Sequence, residues 1–91
     1  AVGAADNSVV IGNSSIVKTI LKGSVGVGTD DPQSKLQVDG GIQLAGDSDT
    51  ASALKVGTFR YRASGNNSYV DMCMQTGATT YAWVNIVQNN W

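Results

Sequence analysis

The sequence has no histidine, no glutamate, one cysteine and one proline in 91 residues, and no aromatic residue before position 59. Without histidine, neither a Ser/His/Asp triad nor a Cys/His pair can be assembled, and general-base chemistry falls to aspartate alone. The single Cys73 excludes an intrachain disulfide and any multi-thiolate metal site, and on a β run it reads as an inert, packed thiol. No apolar run reaches the roughly 18 residues of a transmembrane helix or forms the h-region of a signal peptide. Six Lys and Arg face seven Asp with neither sign gathered into a run, so the chain lacks the electrostatic footprint for nucleic acid or an anionic membrane.

Helical periodicity is nearly absent too. No stretch repeats apolar residues at i, i+3, i+4 and i+7, and Gly recurs at short intervals. What remains is β. The apolar residues are mostly Val, Ile, Leu and Ala, spread among Gly, Ser, Thr and Asn. A compact monomer of this length buries only about 60–65% of the surface its unfolded chain exposes, and a core so poor in large side chains points to oligomerisation.

The first half, 1–46, carries short apolar pieces: Val9-Val10-Ile11, Ile16-Val17, Ile20-Leu21 and the alternation Val25-Gly26-Val27-Gly28. Strands this short do not make a self-sufficient sheet in one chain; three copies wound about one axis would close it. Asp30-Asp31-Pro32 has the form of a helix cap followed by a first-turn proline, which predicts one helical turn before Leu36-Gln37-Val38 resumes alternation. Residues 47–52 read as a polar loop or linker, with a further helical turn available between Thr50 and Lys55.

The second half, 53–91, is a cleaner pattern. Val56 to Arg62, Tyr69 to Thr76 and Tyr81 to Val87 are β-rich runs separated by turn residues, which predicts an antiparallel meander. Alternation puts Val70, Met72 and Met74 on one face and Tyr69, Asp71 and Cys73 on the other; Ala82, Val84 and Ile86 likewise oppose Tyr81, Trp83 and Asn85. The apolar face is expected to be core and the other to carry the aromatics. The fold class is therefore all-β: an intertwined shaft followed by a small meander knob.

Two motifs imitate chemistry. Gly23, Gly26 and Gly28 lack the spacing and the following Lys-Ser or Lys-Thr of a phosphate loop, and Pro32 interrupts any ensuing helix. Asp47-x-Asp49 begins like a calcium loop, but position 6 is not Gly and position 12 is not Glu. Asn13-Ser14-Ser15 and Asn66-Asn67-Ser68 read as turns. No cofactor or metal is expected. The candidates for ligand binding are Arg60, Tyr61, Arg62, Tyr69, Tyr81, Trp83 and Trp91, because Tyr and Trp stack on sugar faces while Arg supplies polar contacts. The competing role, favoured for a meander with few other large side chains, is that these rings fill the knob or its interface.

The segment from Leu21 through Val25-Gly26-Val27-Gly28-Thr29-Asp30-Asp31-Pro32 to Leu36-Gln37-Val38-Asp39-Gly40 resembles the repeated GNVGIGT-x-x-P-x-x-x-L-x-V-x-G motif of phage tail-fibre proteins. It departs in Ser24 for Asn and Val27 for Ile. Val9-Val10-Ile11-Gly12-Asn13 is similar to the turns of trimeric adhesin heads and fibre shafts, and Gly57 through Arg60-Tyr61 to Trp83 resembles a module that closes such fibres. The resemblance implies a homotrimer of identical chains, location in an extracellular virion fibre, no catalysis, and attachment to a host polysaccharide or outer-membrane receptor. Starting at Ala1, the chain reads as a fragment of a longer protein, and a self-cleaving fibre would have lost a chaperone domain after Trp91. The head of a bacterial trimeric autotransporter adhesin and a carbohydrate-binding accessory module are the alternatives.

Overall fold

The computed structural model describes residues 7–91, and the start of the expected shaft, 1–6, lies outside the described residues. The chain divides into two compact units, the first ending at Gly41 and the second spanning Ile42–Trp91. Regular structure among the described residues is β, apart from one 3-10 turn at Ala53–Lys55. The segment 47–52, read from composition as a loop or linker, has no regular structure and belongs to the second unit.

In the first unit, β1 (Val25–Val27) pairs in parallel with β2 (Leu36–Val38), Val25 opposite Leu36 and Val27 opposite Val38. Lys35 O accepts from Val25 N at 2.7 Å and Val27 O from Asp39 N at 2.8 Å, extending the ladder at both ends. Parallel strands need a crossover, usually about a dozen residues or more, yet here the connection is only 28–35 and makes a series of bends. The helical turn predicted after Asp30 does not form. Pro32 brings no N–H, and the turn is knit instead by side chains: Gln33 N donates to Gln37 Oε1 at 2.6 Å, and Gln33 Nε2 to Asp31 O at 3.1 Å.

The glycines of this motif answer to the chain's own backbone. A Cβ on Gly26 would collide with the Thr29 carbonyl, and Gly28 sits at φ +76, a left-handed conformation, against Asp39. Both requirements arise from contacts within one copy. Upstream, Asn13 closes the expected turn, its Oδ1 accepting from Ser15 N at 2.9 Å and its carbonyl from Ile16 N at 3.1 Å.

The second unit holds the expected meander: β3 (Phe59–Ser64), β4 (Asn67–Gln75) and β5 (Tyr81–Asn90), antiparallel in the order β3-β4-β5. Gly65, at φ +59, takes the first central position of the two-residue β3–β4 loop. There, primed hairpin turns demand a positive φ. The β4–β5 loop is closed by Thr76 N donating to Thr80 O at 2.9 Å.

Register corrects the alternation in β5. Asp71 is opposite Asn85 and Val70 opposite Val87, so Ile86 is an extra residue at a β-bulge. The bulge resets the face: Val87, rather than Ile86, continues the apolar row after Ala82 and Val84.

Burial corrects the expected core. Among the described residues the fully buried side chains are Asp71 and Cys73, both on the face that carries Arg60, Arg62, Tyr69 and Trp83. The apolar face expected to be core is only half-buried. The cause is the path of residues 42–55. Ile42 to Leu44 run beside Tyr61 and Val70. Ala45 then crosses the edge of β3, its carbonyl accepting from Tyr61 N at 3.1 Å. Residues 47–55 finally lie over the polar face, where Asp49 O accepts from Trp83 Nε1 at 3.0 Å and Ser52 O lies 3.7 Å from Cys73 Sγ.

Candidate functional site

Asp71 is the centre of the polar face. Antiparallel register puts Arg60 directly opposite it and Arg62 opposite Tyr69, one step along the same face. Both guanidiniums converge on one carboxylate oxygen: Arg60 Nε and Arg62 Nε each donate to Asp71 Oδ2 at 2.9 Å, and Arg62 Nη2 reaches Oδ1 at 3.4 Å. Each guanidinium also stacks on a ring, Arg60 4.1 Å from the Trp83 centroid and Arg62 3.9 Å from that of Tyr69. The faces of those rings attract cations.

The loop over this face adds a second cluster. Lys55 Nζ lies 2.6 Å from Asp47 Oδ2 and 3.4 Å from Asp49 Oδ2, and Arg60 Nη1 donates to Asp47 O at 3.0 Å. Lys55 thus stands between the two carboxylates that begin like a calcium loop. Hydrogen bonding from Arg62, then Arg60, holds the Asp71 carboxyl below its usual range despite the desolvation that opposes it. Lys55 lowers Asp47 in the same way, helped by the Asp49 N–H, and Asp47 raises Lys55.

No family model, curated protein or solved structure matches this chain. Its site is therefore defined by its own geometry.

Of the residues singled out in the sequence, the structure brings Arg60, Arg62, Tyr69 and Trp83 into this one network. Tyr61 is on the opposite face, its hydroxyl 2.8 Å from Ser68 Oγ. Tyr81 is half-buried at the start of β5, opposite Gln75. Trp91 lies beyond the end of β5 with 80% of its surface exposed, held by its N–H to Asn66 O at 2.8 Å.

Sequence reasoning placed Asp71 on a face without giving it a role, read Asp47 and Asp49 as loop carboxylates, and named Lys55 only as the end of an available helical turn. A signal for Asp71 was present: Arg60-x-Arg62 puts two cations on one strand face, and Asp71 is the single carboxylate in the strand that follows. Nothing local marks the Lys55 cluster, which depends on the loop folding back.

Chemically the network is self-contained. Arg60, Arg62 and Lys55 are matched by Asp47, Asp49 and Asp71, so it offers no net charge to an ionic ligand. Every buried side-chain polar atom among the described residues has a partner. What it does is fix the loop onto the sheet and orient Trp83 and Tyr69. An open groove of about 400 Å³ flanks it, bounded by Gly46 to Ser48 and by Arg60 to Ala63.

Proposed function

We propose that the chain is a distal segment of a trimeric phage tail fibre, a virion attachment structure in which identical chains share one fibre and present a tip to the host surface. Its work is mechanical presentation and adhesion, without catalysis. The observation that carries this reading is the exposure of the first unit's apolar residues in a single copy: Val9 is 70% exposed, Ile11 69%, Val17 93% and Ile20 72%. Side chains of this kind in a row, on a segment with almost no ladder of its own, are covered when other chains wind alongside. The shaft-motif resemblance names the kind of assembly in which that happens.

Trp91 and Tyr81 are the rings best placed to meet a receptor, since Trp83 and Tyr69 are engaged with arginines. Three weak sites on one tip gain avidity through effective concentration.

Light scattering on the full chain over a wide dilution range tests the assembly: a mass of three chains is expected, and a folded monomer throughout would overturn it. For adhesion, Trp91→Ala is expected to weaken binding to host cells with an unchanged melting temperature. Binding that is indifferent to both Trp91→Ala and Tyr81→Ala removes these rings from the site.

A further inference from the structure

The second unit leaves one face of its meander only partly covered, with Ile42 to Leu44 lying beside Tyr61 and Val70. Across the register, Phe59 faces Met72 and Met72 faces Val84, while Tyr61 faces Val70 and Val70 faces Val87. Phe59 is 50% exposed, Tyr61 41% and Val87 57%. At ordinary strand spacing the whole face, half-buried positions included, measures about 30 Å by 14 Å, roughly 400 Å². A patch within a face of this size is comparable to the largest on a typical monomer, which is often a functional surface.

Three observations identify the occupant. First, the face carries no charge: Arg60, Arg62 and Asp71 all project from the other side of the sheet. A membrane surface or an acidic or basic partner would leave its charges unanswered there, whereas a second copy brings an equally uncharged face. Secondly, only Ile42 to Leu44 of the strap lie on this face before it wraps the β3 edge, and its longer part, 47–55, covers the polar face, so Phe59 and Val87 stay exposed in a single chain. Thirdly, the area is about half of the roughly 800 Å² per partner that a stable interface buries. The exposed apolar residues of the first unit supply further contact in the same assembly.

We propose that this face, centred on Phe59, Tyr61, Val70, Met72, Val84 and Val87, is the surface through which the second unit packs against the same unit of other copies of this chain. The inference rests on the oligomeric reading above and adds to it the site of contact. It assigns the bulge at Ile86 a purpose: by resetting the alternation it keeps Val87 in the apolar row.

The test uses the full chain. Phe59→Lys and Val87→Lys place a charge on positions that are already half-exposed in one copy, so an isolated unit tolerates them and an interface does not. Gln75→Lys, at an exposed position on the opposite face, is the control. The wild type and the control are expected to hold a mass of three chains by light scattering down to the same dilution, while both face variants dissociate at a higher concentration with near-ultraviolet circular dichroism retained. Oxidative footprinting of the unsubstituted chain asks the same question without a variant: Phe59 and Met72 are expected to be protected when concentrated and to react on dilution, with Leu54, 97% exposed, reacting at both. Face variants that dissociate at the same dilution as the wild type, or footprints that do not change as the complex dissociates, overturn this inference and leave the trimer standing. A wild type that is monomeric throughout overturns both.

Discussion

Arg60 meets Asp71 directly across the β3–β4 ladder, Nε to Oδ2 at 2.9 Å, with 16% of the arginine side chain and 1% of the aspartate side chain exposed. This pair, with Arg62 as its second cation, replaces an apolar core on the covered face of the sheet. Leaving two guanidiniums on that face without their counter-ion is costly. Asp71→Ala is expected to destabilise the second unit by about 3 kcal/mol, read as a shift in the denaturant midpoint at unchanged slope.

The two arginines should not be equivalent. Arg60 also donates to Asp47 O and stacks on Trp83, whereas Arg62 is 40% exposed and solvent screens its pair. Arg60→Leu is expected to lower the melting temperature more than Arg62→Leu. The reverse order would place the weight of the network on Arg62.

Stability should depend on pH at both extremes. Asp71 and Asp47 are lowered from 3.8, so the stability they contribute is complete above that value and is lost as pH falls through their folded values. Lys55 is raised from 10.5, so its contribution is complete below 10.5 and disappears as pH rises through the folded value. A melting temperature that is flat between about pH 5 and 9 and declines on the acid side is expected. Asp71→Asn should flatten that acid limb, and an unchanged limb would assign it to other carboxylates.

Gly26 and Gly28 offer a test confined to the first unit. A methyl group at Gly26 meets the Thr29 carbonyl, and at Gly28 it must adopt φ +76. Gly28→Ala is expected to cost about 1–2 kcal/mol and Gly26→Ala about 1–3 kcal/mol, and both to speed amide exchange at Val27 and Asp39. Exchange in β4 should be unaffected if the two units are energetically separate.

The loop 42–52 should be needed for the meander. A fragment beginning at Ile42 retains the Asp47, Asp49 and Ser52 contacts to Lys55, Trp83 and Cys73; one beginning at Ala53 does not. The shorter fragment is expected to melt at a lower temperature and to expose Cys73 to thiol reagents. Equal protection of Cys73 in both would show that the sheet holds its polar face closed alone.

Much of the architecture was legible because β structure declares itself through short-range chemistry. Alternation over 59–75 fixed which side chains share a face, Gly65-Asn66 supplied a hairpin turn, and the Val25-Gly26-Val27 and Leu36-Gln37-Val38 pieces became strands. The helical turn after Asp30 was misread because a cap and a proline are only a start signal; no apolar stripe follows to be buried and reward the helix. Ile86 was misassigned because a bulge inserts a residue without any change in composition.

Alternation thus determined two faces and an all-β chain, and the absence of histidine excluded a Ser/His/Asp or Cys/His pair within these 91 residues. It could not determine which face would be covered. That depended on a loop arriving from before β3 and choosing the polar side, where Lys55, Asp47 and the Asp49 carbonyl find partners in carboxylates, Arg60 and Trp83. Periodicity is local, whereas the covering of a sheet is a long-range contact, and only the tertiary structure records it.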